Sequence, residues 1–233
     1  MNSIMSRVFA TIAAFAAVAV VPAAHAVPML QLSSGTTTVT ITDQGAGDTD
    51  ANVGSIVYYG AVGSFIINVS TGITKPVLGT PTQPVLDLNS IDVSGATGGT
   101  LTIRFSDTDY LSTGPSANFI ASVGGVTAGS VVFDYYASAS NANFATDLAI
   151  TSSGLMTGPF VYTGIGTEAL TGPYSLTTVA TIVHPGGSTK NSSFNSTLEG
   201  LNQTVDIPEA PFAPALFVGA LALAGLRILR RRA

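Results

Sequence analysis

A chain of 233 residues with 13 acidic and 8 basic side chains carries a formal net charge of −5 and contains neither Cys nor Trp. Without thiols, disulfides, thiolate catalysis, Cys-ligated zinc and iron–sulfur clusters are excluded, so packing alone must hold the fold. All 13 acidic residues lie between Asp43 and Glu209, where only Lys75, Arg104 and Lys190 are basic, and so acidic a span argues against nucleic acid or anionic lipid as a partner.

Taken in chain order, residues 1–7 form a short basic start, 8–21 an apolar stretch, and Ala24-His25-Ala26 a small-residue cleavage site. This is the pattern of a secretory signal peptide over 1–26, with cleavage at Ala24 and Ala26 and a mature chain beginning at Val27. The apolar run is too short, and too closely followed by the cleavage site, to read as a membrane helix. About 180 residues lie between this segment and the C-terminal tail, enough for one domain with a sizeable core.

That span is rich in Ser, Thr and Gly and poor in charge. Its apolar residues recur with period two over 37–42, 64–70, 85–93, 100–105, 130–136 and 175–183. Thr at the alternate positions suits the solvent face of a strand, where β-branching favours the extended backbone. Turn signals fall at Gly45-Ala46-Gly47-Asp48, Gly98-Gly99, Gly124-Gly125, Gly158-Pro159, Gly172-Pro173 and Pro185-Gly186-Gly187.

No helical period persists over three turns; residues 137–148 read equally as a short helix or a loop. The expectation is an all-β domain over 27–190, an antiparallel β-sandwich of about seven to ten short strands. A signal-peptide helix and a C-terminal transmembrane helix would flank it, and the Asn/Ser/Thr-rich segment 191–207 reads as strand or linker.

Asp43, Asp48, Asp50 and Asn52 place four hard oxygen ligands within ten residues on a Gly-rich loop, a composition that suits calcium. Val53 and Tyr59 stand where an EF-hand needs Gly and a bidentate Glu, so the rival reading is a solvated hairpin loop built on Asx turns. Asp107 and Asp109, two apart at a strand end, would share a face and suit acid–base or metal chemistry; as loop carboxylates they read more simply as solvated.

His184, the one histidine after the signal peptide, precedes Pro185-Gly186-Gly187 without a Gly-x-Ser-x-Gly elbow, so it reads as a loop residue without chemistry. Tyr58-Tyr59 and Tyr135-Tyr136 would each turn one ring inward and one outward, the outward rings being available to glycan. Asn68, Asn191, Asn195 and Asn202 match Asn-x-Ser/Thr, a pattern that a chain so rich in Ser and Thr produces by composition.

The tail joins Pro208-Glu209-Ala210-Pro211 to an apolar run over 212–226, followed by Arg227 and Arg230, Arg231 and Arg232. A helix over 212–229 would be about 27 Å long, enough to cross a hydrocarbon core, with Arg227 close enough to the end to snorkel. The Arg cluster would stay cytoplasmic and leave the preceding chain outside. Pro208, Pro211 and Pro214 keep the approach extended, as a processing enzyme needs.

Pro208, Glu209, the span and the Arg cluster together resemble the PEP-CTERM sorting signal of Gram-negative bacteria; Ala210 stands where the commonest form has Pro. The resemblance covers 208–233 only. It implies recognition by exosortase, an integral membrane protease/transpeptidase, in organisms that make exopolysaccharide. The competing reading is a plain inner-membrane anchor that is never cut.

Three functions follow as expectations. The first is a non-enzymatic cell-surface or exopolysaccharide/biofilm-matrix protein, sorted by exosortase through its tail. The second is a calcium- or glycan-binding module using the 43–52 loop and exposed Tyr. The third is an extracellular polysaccharide-active enzyme using Asp107 and Asp109.

Overall fold

The computed structural model describes residues 26–201. The expected terminal helices, Ala24 and the sorting signal from Pro208 to Arg232 lie outside them. Eleven strands fill the described chain: β1 (Met29–Ser34), β2 (Thr37–Thr42), β3 (Ser55–Val62), β4 (Phe65–Ile73), β5 (Val85–Gly95), β6 (Gly99–Leu111), β7 (Ala117–Ser138), β8 (Leu148–Ser152), β9 (Met156–Glu168), β10 (Pro173–His184) and β11 (Lys190–Leu201). No helix occurs among the described residues, and residues 139–147 are turn and loop.

Every pairing between strands is antiparallel. The hydrogen-bonded path runs β2-β1-β6-β10-β7-β11-β5-β4-β3, with β8 and β9 attached to β7. β7, 22 residues long, makes the sheet turn over on itself. Its residues 130–138 pair with β10 and its residues 118–127 with β11. The two halves of the path therefore face each other across a common core.

Contacts between strands far apart on the path show this facing. Phe65 of β4 packs on His184 of β10 with ring centroids 5.3 Å apart. A Cβ on Gly72 of β4 would stand 2.5 Å from the Phe105 ring of β6. The result is sandwich-like. Alternation puts Leu30 and Leu32 of β1, Leu101, Ile103 and Phe105 of β6, and Phe133 of β7 wholly inside.

The periodic stretches of the sequence fall in strands, 37–42 coinciding with β2 and 64–70 starting one residue before β4. The sheet has more strands than expected, and two of the expected turns are not turns. Gly124-Gly125 lies inside β7, paired with Val161 and Phe160 of β9 and with Asn195 and Phe194 of β11. Gly158-Pro159 lies inside β9, opposite Thr127 and Val126. Cross-strand pairing, on both sides at Gly124-Gly125 and on one side at Gly158-Pro159, overrides the local breaker preference of these residues.

At Gly125 the reason for glycine is close approach: a Cβ there would meet the Ser193 carbonyl oxygen at 2.4 Å and Phe194 Cβ at 2.6 Å. At Gly124 the nearest atom would be 3.9 Å away. Gly125→Ala is therefore expected to cost about 1–3 kcal/mol. Gly124→Ala should stay within about 0.5 kcal/mol of wild type. Urea midpoints of the two variants check the contrast; equal midpoints would contradict this packing.

β11 is an inner strand, flanked by β5 and β7, so the Asn/Ser/Thr-rich sequence after Lys190 belongs to the sheet as far as Leu201. At the other end, Asn143 Nδ2 donates to Val27 O at 3.3 Å and Asp43 N to Pro28 O at 3.1 Å, so the sheet holds the chain from Val27 onward.

Candidate functional site

The described residues concentrate their polar interior where the end of β6 meets the segment after β4. β6 alternates regularly through Phe105, but then Ser106 and Asp107 are both buried, and Asp109 takes φ +59°. The β10 register slips at this place, between Tyr174 and Leu176, as a bulge requires. Asn141, itself at φ +53°, clamps the bulge: its Oδ1 accepts from Asp109 N at 2.8 Å and its Nδ2 donates to Asp109 Oδ1 at 2.6 Å. The two carboxylates therefore do not share a face. Asp107 points into the interior and Asp109 toward Asn141. Neither is the solvated loop carboxylate expected, because the bulge redirects one inward and the Asn141 clamp engages the other.

Asp107 is wholly buried and meets Lys75, which is 9% exposed, with Nζ 2.6 Å from Oδ2. Lys75 Nζ also donates to Thr108 O at 2.5 Å and lies 3.8 Å from the centroid of the Tyr110 ring. Thr74 Oγ1 donates to Asp107 Oδ2 at 3.1 Å and shares a short hydrogen bond with Tyr110 OH. Thr108 N donates to the other carboxylate oxygen, Oδ1, at 2.8 Å.

Burial lowers the Lys75 ammonium from its ordinary range, against the opposing pull of Asp107. Burial also raises the Tyr110 phenol well above its usual value, so the phenol stays protonated. Lys75 is placed by a Pro-rich connection: Leu78 N bonds Thr74 O at 2.9 Å, and Leu111 N bonds Pro81 O at 2.7 Å, fastening the loop to the end of β6.

The aspartate loop abuts this cluster. Asp43 Oδ2 accepts from Gly54 N at 2.8 Å, and Gly54 O accepts from Thr74 N at 2.8 Å. Gly54 has φ +89°, and a Cβ there would strike Lys75 O at 2.6 Å, so only glycine fits. Within the loop, Asp48 Oδ1 accepts from Asp50 N at 2.9 Å and Val57 N at 3.0 Å, while Oδ2 accepts from Gln44 N at 3.0 Å. Asp50 Oδ1 accepts from Asn52 N at 3.0 Å and from Asn52 Nδ2 at 2.8 Å.

These are the Asx-type bonds of a self-supported loop. Among the described residues no group of three or more His, Cys, Asp or Glu stands close enough to hold a metal ion. Asp43 is buried, its Oδ1 has no hydrogen-bond partner, and burial raises its carboxyl above the usual range.

His184 ends β10 and is buried, not in a loop. Its Nε2 lies 2.8 Å from Ser192 Oγ, which in turn lies 2.7 Å from Thr127 Oγ1. Burial first, then Lys190, pushes the imidazole below its ordinary value of 6.5. The folded protein thus holds His184 neutral, and the unfolded chain takes the proton more readily. Its contribution to stability is present above pH 6.5 and is lost as pH falls from 6.5 toward the depressed folded value. His184→Asn should flatten the fall in urea midpoint over that interval; a variant with the wild-type pH slope would contradict it.

The tyrosine alternation is as the sequence predicts. Tyr58 packs against the core while Tyr59 is 64% exposed. Tyr135 is buried and Tyr136 half-buried. Concavities on the described surface are lined mainly by small or polar residues. One is lined by Ser34, Thr37, Ser64 and Thr100 with three glycines and Thr36, another by residues that include Thr82, Pro84, Ser112 and Tyr174. Neither is lined by a carboxylate, an amine or an imidazole.

Sequence reasoning missed Lys75, Thr74 and Tyr110 as parts of a site. The available signal was rarity: Lys75 is one of three basic residues set among thirteen acidic ones and opens the segment Lys75-Pro76-Val77-Leu78-Gly79-Thr80-Pro81.

Fold and site together define a sandwich-like all-β domain of antiparallel strands in which Asp43, Lys75, Asp107 and His184 are buried in the frame. No protein-family model matches the chain, and no curated protein matches it either. Among solved structures, the isomalto-dextranase of Arthrobacter globiformis T6, complexed with panose, aligns at 14% identity with a TM-score of 0.22, over 62% of this chain and 23% of that one. The chain thus spans less than a quarter of that enzyme, and a likeness this loose carries no argument about fold or activity.

Proposed function

We propose that this is an exported, non-enzymatic β-sandwich protein of the cell surface or exopolysaccharide matrix, sorted by exosortase through residues 208–233. The geometric observation that carries the non-enzymatic part is the use made of the ionisable groups considered for chemistry. Asp107 is bound to Lys75, Asp109 to Asn141, and His184 to Ser192. A general acid or base must reach a substrate proton, and Asp107 and His184 are buried behind their partners.

The sorting part rests on the order Pro208-Glu209, apolar span, Arg227 and Arg230–Arg232. Pro208 and Glu209 are the recognised residues in this reading, and the Arg cluster fixes orientation in the inner membrane. Exopolysaccharide or surface glycan is the partner, and the acidic, Cys-free domain is the cargo.

Intact mass and fractionation of the protein from its native host test the reading. The expected result is a C-terminus lost at or near Pro208–Glu209, in envelope or extracellular material. A full-length tail retained in the inner membrane would sink exosortase processing and leave an ordinary anchor.

A further inference from the structure

We propose that Lys75 and Asp107 form an intramolecular amide bond, an isopeptide cross-link between the segment after β4 and the end of β6. The observations are geometric. An amine and a carboxylate, 9% and 0% exposed, stand 2.6 Å apart, and among the described residues no other charged side chain is bonded to either. The residues are 32 apart in sequence and lie on opposing halves of the folded sheet.

An ion pair in a dry interior is poorly compensated, because each charge has lost its hydration. Transfer of one proton from Nζ to Oδ2 gives a neutral amine and a neutral carboxyl group, the forms that burial favours. The neutral amine is a nucleophile held next to its electrophile, so the reaction is effectively unimolecular.

The step balances without any co-reactant. The Nζ lone pair attacks Cγ of Asp107, and the Nζ–Cγ bond forms. Charge developing on Oδ1 is met by the Thr108 N–H, already 2.8 Å away. A second proton passes from Nζ to Oδ2, the Cγ–Oδ2 bond breaks, and one water leaves. Thr74 Oγ1, bonded both to Oδ2 and to the Tyr110 hydroxyl, sits where it can relay that proton. The Tyr110 ring, 3.8 Å from Nζ, closes the amine off from solvent on one side. The product keeps Oδ1 as the amide carbonyl oxygen and removes both buried charges. A Cys-free domain would gain in this way the covalent tie that disulfides give other exported proteins.

The sequence supplies a clean readout. Trypsin does not cut between Lys75 and Pro76 but does cut after Arg104, between the two partners. In the purified full chain, denatured and digested, the fragment ending at Arg104 should stay joined to fragment 105–190. The joined species should be lighter than the sum of the two by one water, and Asp107→Ala should separate them. Fragments of the wild-type chain that separate under denaturing conditions, each with its sequence mass, would overturn the proposal. That reading is made on the wild-type protein and does not depend on whether any variant folds. It is also independent of tail processing, which changes neither fragment's junction.

Discussion

Asp107→Ala is expected to lower the unfolding free energy by at least about 3–5 kcal/mol, because it leaves the Lys75 ammonium buried without its counter-charge. The remaining partners, Thr108 O and the Tyr110 face, are dipolar and cannot replace a carboxylate. The double variant Lys75→Met/Asp107→Leu separates two origins of the loss. If the pair is ionic only, apolar residues of similar volume should restore most of the stability.

If the amide is closed, the double variant still lacks the cross-link. By the loop-entropy relation used for disulfides, a closed loop of this length is worth on the order of 3–4 kcal/mol. Urea unfolding of wild type, single variant and double variant makes the comparison. A single variant within about 1 kcal/mol of wild type would contradict the burial and bonding described for Asp107.

Phe133→Ala should cost about 3–5 kcal/mol, through lost transfer energy and the cavity left behind. Phe133 is wholly buried and lies where the sheet turns over along β7. Its ring meets Phe194 of β11 edge-on at 4.8 Å and Phe160 of β9 at 6.0 Å. One side chain thus ties three strands. Phe133→Leu, which keeps most of the volume, should cost clearly less. Thermal melts of both variants give the order; equal losses would mean that ring geometry, not volume, governs the site.

The strand content was legible wherever one face meets solvent. Thr37-Thr38-Val39-Thr40-Ile41-Thr42 alternates because its polar Thr residues look outward, and β2 occupies those positions. The first half of β7 and all of β9 were not legible. Gly124-Gly125 and Gly158-Pro159 read locally as turns, whereas each lies opposite a paired strand. Nothing in the neighbouring sequence announces that Gly125 exists to admit the β11 backbone.

The candidate site was legible only in part. Asp107 and Asp109 were singled out as a carboxylate pair, but a bulge gave them opposite roles. Its cause is the pairing with β10, some seventy residues later in the chain. Lys75 lacked any motif, because a buried ion pair is a tertiary event and leaves no periodic trace. His184 read as a loop residue from the Pro-Gly-Gly that follows it, yet the strand runs through it before the turn begins.

The position of β11 has a mechanical consequence. It is the last strand among the described residues, and it lies between two neighbours. Residues 190–199 are paired within the β5 ladder and 192–201 within the β7 ladder, both antiparallel. A pull on the chain beyond Leu201, directed along the strand, loads the hydrogen bonds on both flanks in shear, so that many must fail together. An edge strand such as β3 or β9 would instead peel one bond at a time. A domain tethered through its C-terminus and exposed to flow would resist by the collective strength of two ladders.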